Sequence, residues 1–183
     1  MCSSDLNFDG IIPGITGKRY ELGMSSFTIN DERVKSVDMV SYFSAGTSFA
    51  VAKGNPDGIT GADALCGKAV GVQTGTVEAE DIVKRNTACT AAGKPAIAVT
   101  QLQAQSDVTL ALASKRIVAM LADSPVVAYA VTTTEGALEV VGTPNDTAPY
   151  GIVLAKNQGD YAKAVQGAVQ ALIGDGTYAA ILK

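Results

Sequence analysis

The sequence contains no histidine and no tryptophan among its 183 residues. Histidine is the commonest general base and a frequent zinc ligand, so its absence argues against an enzyme and against a zinc site. Carboxylate, lysine and tyrosine chemistry is still possible, because all three kinds of side chain are present. We therefore expect no catalytic residue, no metal and no cofactor.

Long apolar runs and an excess of basic charge are also missing. No stretch of about 18 consecutive apolar residues occurs, which excludes a membrane-spanning helix. The 14 basic and 18 acidic residues give a net charge of −4, and this balance argues against nucleic acid as a partner. Hydrophobic residues make up 47% of the chain. That is enough for a packed core in one large domain or two small ones.

Cysteine is scarce and occurs only as Cys2, Cys66 and Cys89. The last two lie too far apart in the sequence for a CxxC redox or zinc motif. A disulfide between them would close a loop of about 23 residues and stabilise the fold by roughly 3 kcal/mol in the chain-entropy model. Such a bond needs an oxidising compartment. The spacing alone leaves this disulfide and two separate buried thiols as open alternatives.

The first six residues, MCSSDL, do not look like the start of a secreted protein. They lack the basic and apolar segments of a signal peptide. They match the translation of a sequencing-library adapter that is read from an alternative start codon. We expect residues 1–6 to be a non-native artefact and the natural protein to continue upstream. An ordinary mobile N-terminus is the alternative.

Between residues 54 and 146, segments typical of strands alternate with segments typical of helices. Helices are predicted to open at Thr76, which can cap a helix, at Ser106 and at Ser124. Strands that alternate with short helices indicate parallel βαβ units. The predicted strands cover 69–72, 96–100, 117–121 and 138–141.

The two ends of the chain carry further predicted elements. A helix is expected from Phe8, with Pro13 acceptable only in its first turn. A short strand at 22–24 follows, with residues 25–28 at its C-terminal end. Apolar residues at three- and four-residue steps predict an amphipathic helix over 161–173.

Two extended segments, 42–53 and 147–156, bracket the α/β region and are flanked by turn residues. We therefore expect one discontinuous domain of residues 7–53 and 147–183, with a second domain of residues 54–146 inserted into it. This organisation is typical of a hinged clamp with two lobes. The periodicity alone also permits one continuous sheet.

Six segments, in their order along the chain, resemble the family 3 extracellular solute-binding proteins of bacteria, the amino-acid receptors of ABC importers. The resemblance extends over nearly everything from Asn7 onward. It implies an α/β fold of the type II periplasmic-binding class, in which two lobes are joined by two crossing strands. The family's first strand, helix and strand are absent, so lobe 1 is expected to be incomplete. The six segments are FDGIIPG, MSSFTINDER, YFSAGTSFAVAKGNP, VGVQTGTVEAE, LADSP and APYGIVLAK.

The resemblance implies a function without catalysis. The protein would bind a free amino acid between its lobes, as a monomer in the periplasm or outside the cell, and present it to the membrane permease of an ABC importer. The resemblance also favours the disulfide between Cys66 and Cys89. Two alternatives are an enzyme on the same scaffold, resembling cyclohexadienyl dehydratase, and the ligand-sensing module of a receptor.

A free amino acid needs a cation for its carboxylate and an anion for its ammonium group. Arg33, seven residues after Ser26, matches the family's carboxylate-binding arginine, and a guanidinium can hold a carboxylate through two parallel hydrogen bonds. Asp123 matches the family's ammonium-binding aspartate. Without the resemblance, Arg33 would be interpreted as a solvated surface residue and Asp123 as an acid at a helix N-terminus.

Other matched positions imply contacts with the main-chain atoms of the ligand. Ser25, Ser26 and Thr28 match positions that offer backbone and hydroxyl groups, although polar residues at a strand end are also common in turns. Thr76 and Val77 match positions whose backbone amides bind the ligand carboxylate at a helix N-terminus.

Two matched positions imply contacts with the side chain of the ligand. Phe8 matches an aromatic residue that packs on it, and Gln73 matches a position that often touches it. The alternatives are a hydrophobic staple for Phe8 and an exposed amide at a strand end for Gln73.

Overall fold

The computed structural model describes residues 6–183. Most of the predicted artefact, residues 1–5, therefore lies outside the described residues. Over residues 6–183, no helix is long and apolar enough to cross a membrane. The elements are α1 (Phe8–Thr16), β1 (Leu22–Thr28), α2 (Arg33–Ser36), β2 (Val37–Ala52), a 3-10 helix (Ala62–Ala64), β3 (Ala69–Gln73), α3 (Val77–Ala91), β4 (Ala98–Leu102), α4 (Gln105–Ala113), β5 (Ala119–Asp123), α5 (Ser124–Thr133), β6 (Leu138–Ala155), α6 (Tyr161–Gly174) and α7 (Thr177–Ile181).

Internal contacts divide the chain into two compact units. The first unit runs up to Asp9 and over Ala45–Thr147, and the second unit consists of Gly10–Ser44 and Ala148–Lys183. The two long strands β2 and β6 each contribute residues to both units. The lobe boundaries expected from the sequence stay a prediction.

The sheet of the first unit has the expected α/β character. Strand β3 is parallel to both β4 and β5, so the βαβ units predicted from the first three strands are confirmed. The strand predicted at 138–141 is the start of β6, which is not a neighbour of β3, β4 or β5. Strand β2 is antiparallel to β5, with Thr47 paired to Asp123 and Val51 paired to Ala119. This register sets residues of β2 directly beside the carboxyl end of β5.

The sheet of the first unit is buried on both faces, which is typical of parallel strands covered by helices. Side chains alternate between the two faces along each strand. On one face, the buried residues Phe49, Val51, Val70, Val72, Ala119 and Leu121 pack with Ile82 of α3. On the other face, Ala50, Met120 and Ala122 pack with Val108 and Leu112 of α4 and Val127 of α5. Both faces of β5 therefore lie in the core.

A disulfide joins Cys66 to Cys89, with an S–S distance of 2.00 Å. Cys66 follows the 3-10 helix and Cys89 lies in the last turn of α3. The bond therefore links the C-terminal end of α3 to the segment that precedes β3. The disulfide favoured by the resemblance is present in the structure.

In the second unit, β1 is antiparallel to β6, and the register shifts between Gly23 and Phe27. The expected strand at 22–24 was too short, because β1 continues through Thr28. Residues 25–28 thus lie within the strand rather than after it. Pairing with β6, which no local pattern reveals, extends the strand.

The position of Pro13 was also predicted wrongly. Helix α1 begins at Phe8, so Pro13 is its sixth residue and lies in the second turn. Because proline has no N–H, the cost is one intrahelical hydrogen bond, to the carbonyl of Asp9. The helix still places Ile11 and Ile15 in the core, where they are 9% and 0% exposed.

The predicted amphipathic helix is confirmed as α6, which packs on β2 and β6 in the second unit. Tyr161, Val165 and Val169 contact a cluster that includes Val40 and Leu154. Farther along α6, Leu172 and Ile173 are 42% and 45% exposed. The apolar face of α6 is thus covered mainly over its first turns.

Candidate functional site

The opening of α3 is shaped by a threonine cap in the first unit. The Oγ1 of Thr76 accepts a hydrogen bond from the backbone N–H of Ala79 at 3.2 Å and donates one to the carbonyl of Gln73 at 2.8 Å. Gly75, immediately before the cap, has φ +81°, which glycine adopts without strain. The amides of a first helical turn have no partner within the helix and attract anions. The predicted capping role of Thr76 is confirmed.

Gln73 ends β3 just before this turn, and its side chain is already engaged. Its Nε2 donates to the carbonyl of Gln103 at 3.0 Å. The residue is half-buried, and its contact with a ligand stays a prediction. The residue fixes the loop after β4 against the end of β3.

Asp123 ends β5 and is the N-cap residue of α5. Its side chain is half-buried, and its backbone pairs with Thr47 of β2. Because β3 and β5 are parallel, their carboxyl ends lie at the same sheet edge, where open α/β sheets bind ligands. The first unit therefore brings Asp123 and the opening of α3 to one edge.

A buried acid lies next to this edge. Glu78, the second residue of α3, is 2% exposed. Its Oε1 accepts a hydrogen bond from the hydroxyl of Thr47 at 3.0 Å. The sequence did not predict this contact, because a partner 31 positions away leaves no local signal.

Phe8, the first residue of α1, is 9% exposed and belongs to the first unit. Its neighbour Asp9 lies against the turn that opens α3, because a Cβ added to Gly75 would be 2.7 Å from the Cβ of Asp9. The chain at Phe8 and Asp9 is therefore next to the cap of α3. Whether Phe8 packs on a ligand stays a prediction.

In the second unit, Arg33 folds back over the end of β1. Its Nη1 donates to the carbonyl of Thr28 at 2.8 Å, and its Cζ lies 5.5 Å from the ring centroid of Phe27. Its backbone N–H donates to Oδ1 of Asn30 at 2.9 Å. These contacts hold the guanidinium of Arg33 beside the C-terminal half of β1. Arg33 is half-buried.

The polar part of β1 has an unusual backbone. Ser26 has φ +56°, a left-handed conformation that is uncommon for a residue other than glycine. It coincides with the register shift in β1, and such irregularities re-aim backbone and side-chain groups. The backbone N–H of Ser26 donates to the hydroxyl of Tyr42 at 3.3 Å. Ser25, Ser26 and Thr28 are all half-buried.

An aromatic cluster that sequence reasoning missed supports this segment in the second unit. The ring of Tyr150 lies 6.1 Å from that of Tyr42 and 5.7 Å from that of Phe43, centroid to centroid. The hydroxyl of Tyr178 donates to the carbonyl of Tyr42. These contacts fix Tyr42, whose hydroxyl accepts a hydrogen bond from the backbone N–H of Ser26.

The predicted site residues are divided between the two units. The first unit contains Phe8, Gln73, Thr76, Val77 and Asp123, and the second unit contains Ser25, Ser26, Thr28 and Arg33.

Residues 3–183 match the model of a protein family described as bacterial extracellular solute-binding proteins, family 3. Among curated proteins, the arginine-binding protein ArgT of Corynebacterium glutamicum is 34% identical over 177 residues, which cover 96% of this chain and 58% of ArgT. The L-cystine-binding protein TcyJ of Escherichia coli is 31% identical, over 95% of this chain and 63% of TcyJ. The chain therefore spans about three fifths of the length of these relatives.

Solved structures show the same fold. An ancestral arginine-binding protein bound to glutamine matches with a TM-score of 0.86 and 31% identity, over 97% of this chain and 76% of that protein. The ancestral amino acid-binding protein AncCDT-1, a precursor of cyclohexadienyl dehydratase, matches with a TM-score of 0.79 and 28% identity, over 94% and 71%. The α/β fold expected from the resemblance is confirmed.

Proposed function

Because the chain belongs to the family 3 extracellular solute-binding proteins of bacteria, we propose that it is the substrate-binding component of an amino-acid ABC importer. The observation that carries this proposal is the edge formed by the first unit. There an acid, Asp123, and the opening of a 15-residue helix lie at the carboxyl ends of parallel strands. An anion and a set of backbone amides are the two groups that an ammonium and a carboxylate require.

The proposal assigns a role to each charged end of a free amino acid. Asp123 accepts from the ligand ammonium, and the amides of Thr76 and Val77 donate to the ligand carboxylate. In the second unit, Arg33 offers a cation that suits a carboxylate, and Ser26 offers backbone and hydroxyl groups. Arg33 also donates to the carbonyl of Thr28 through Nη1.

The partners and location follow from the family. We propose that the protein acts in the periplasm or outside the cell and delivers its ligand to a membrane permease. The disulfide between Cys66 and Cys89 agrees with an oxidising compartment. Relatives are named as binding proteins for arginine and cystine, so a free amino acid is the proposed class of ligand.

Binding without catalysis is the proposal, and an enzyme on this scaffold is the second candidate. One similar structure, AncCDT-1, is a precursor of cyclohexadienyl dehydratase, which shows that enzymes arise from this kind of binding protein. The two candidates differ in outcome: a binding protein returns its ligand unchanged, whereas a dehydratase converts arogenate or prephenate into an aromatic product.

A thermal-shift series with each of the twenty common amino acids tests the proposal on the full chain. At least one should raise the melting temperature by mass action, and calorimetry should then give a dissociation constant of about 1 μM or tighter. Asp123→Asn should abolish this shift, while Asp107→Asn, which alters an exposed acid in the first turn of α4, should not. A chain that responds to no amino acid, or that turns over arogenate or prephenate, would contradict the proposal.

A further inference from the structure

Glu78 combines deep burial with a charged side chain. It is 2% exposed and is the second residue of α3. A carboxylate is costly to bury unless hydrogen bonds and favourable charge offset the loss of water. Here the hydroxyl of Thr47 donates to Oε1 at 3.0 Å, and the helix N-terminus favours a negative charge. Glu78 is therefore held in one place by its surroundings.

Thr47, the donor, lies at a confined point of β2. It is paired with Asp123 of β5, so it is the residue beside the proposed ammonium-binding group. Its neighbour Gly46 approaches β6 closely, since an added Cβ would lie 2.6 Å from the carbonyl oxygen of Asn145. The backbone on either side leaves β2 little freedom to move here. The hydroxyl of Thr47 is therefore held in a fixed position.

The hydrogen bond ties the two halves of the proposed main-chain site together. On one side are Thr76 and Val77, whose amides are assigned to the ligand carboxylate and which immediately precede Glu78. On the other side is Asp123, directly beside Thr47. One hydroxyl–carboxylate bond therefore sets where the helix opening lies relative to Asp123.

The far end of α3 is fixed independently. The disulfide holds Cys89 of its last turn, and Oδ1 of Asn86 accepts from the backbone N–H of Ile97 at 2.7 Å. With its C-terminal end attached in two places, the helix can adjust chiefly at its opening. At that end, Glu78 provides a hydrogen bond that links the helix to β2.

We propose that Thr47 and Glu78 are positioning residues that set the affinity for the ligand by holding the opening of α3 in register with Asp123. This inference rests on the proposed function. Glu78 is too deeply buried to serve as a ligand contact and acts through the helix. A bond that only stabilised the fold would change the melting temperature and leave ligand discrimination unaltered.

The test compares Thr47→Val, which keeps the shape but removes the donor, with Thr47→Ser, which keeps the hydroxyl. Calorimetry on the full chain uses the L-amino acid that binds most tightly among the twenty and the α-carboxamide of the same amino acid. Thr47→Val should bind the acid about tenfold more weakly, whereas Thr47→Ser should stay within about twofold of the unaltered chain. The preference for the acid over the carboxamide should shrink, because the amides facing the carboxylate lose their position.

A second pair of variants keeps the test decisive should Thr47→Val fail to fold. Glu78→Gln retains an acceptor oxygen and should bind about as well as the unaltered chain, whereas Glu78→Ala should lose about tenfold. The double variant Thr47→Val, Glu78→Ala should bind the ligand no more weakly than the single variant with the lower affinity. The reason is that both substitutions remove the same hydrogen bond. Unaltered affinity in Thr47→Val or Glu78→Ala, or equal losses in the serine and valine variants, would overturn the positioning role. Failure of the unaltered chain to bind any amino acid would instead refute the proposed function and this inference with it.

Discussion

Arg33 and Lys35 are separated by one residue, yet their side chains are in different environments. The Nζ of Lys35 pairs with Glu32 at 2.9 Å, and both side chains are highly exposed. Such a surface pair contributes little to stability. Arg33 instead lies over the ring of Phe27 and donates to the carbonyl of Thr28. A guanidinium held in this way loses little freedom when it binds a carboxylate.

Replacing Arg33 by lysine tests whether the guanidinium shape or only the charge is needed. Lysine keeps the charge, but it cannot hold a carboxylate through two parallel hydrogen bonds. We expect Arg33→Lys to weaken amino-acid binding by about tenfold or more in calorimetric titrations. Lys35→Ala removes a nearby exposed charge and should leave the affinity unaltered. Equal affinities of Arg33→Lys and the unaltered chain would mean that the positive charge at this position is sufficient and that the paired hydrogen bonds of the guanidinium contribute nothing.

At the scale of the element, features that depend on neighbouring residues could be predicted from the sequence, whereas features that depend on distant residues could not. The cap of α3 was predictable because Thr76 and the helix it opens are adjacent in the sequence. The length and the register shift of β1 were not, because Leu22 pairs with Leu154 far along the chain. The bond from Thr47 to Glu78 was missed for the same reason. The site residues came from motif matching, and their roles stay predictions.

The glycine turns at the two ends of α3 allow a matched comparison. Gly75 and Gly93 have φ +81° and +69°, so alanine at either position should cost roughly 1 kcal/mol of backbone strain. At Gly75 the new Cβ would also lie 2.7 Å from the Cβ of Asp9, whereas a Cβ added to Gly93 would have no described atom within 4 Å apart from its own chain neighbours.

We expect Gly75→Ala to lower both stability and ligand affinity, because relief of the collision must displace the turn that carries Thr76. Gly93→Ala should lower stability alone. Urea unfolding and calorimetric titration of the two variants measure the two effects separately. An affinity loss that is the same in both variants would mean that the turn at Gly75 has no special role in binding.

At the scale of the whole molecule, the two units are packed differently. In the first unit, β5 contributes buried residues to both faces, among them Met120 and Leu121. In the second unit, α6 leaves Leu172 and Ile173 about half exposed. The near-continuous apolar run of β5 is typical of a strand that is buried on both faces. The exposure on α6 was not predictable from its periodicity, which shows which side chains share a face but not how much of that face is covered.

The disulfide lies entirely in the first unit, so its loss should affect the two units unequally. In the chain-entropy model, a bond that closes a loop of about 23 residues stabilises by roughly 3 kcal/mol. We expect the double variant Cys66→Ser, Cys89→Ser to lose amide hydrogen-exchange protection at Val72 and Leu121, within the cluster that contains Cys89. Protection at Leu154, in the second unit, should change little. The double variant and the reference protein that keeps the disulfide should both carry Cys2→Ser, so that no free thiol exchanges with the disulfide. Equal loss of protection in both units would mean that they unfold as one cooperative body, and no loss in the first would mean that the bond contributes nothing to its stability.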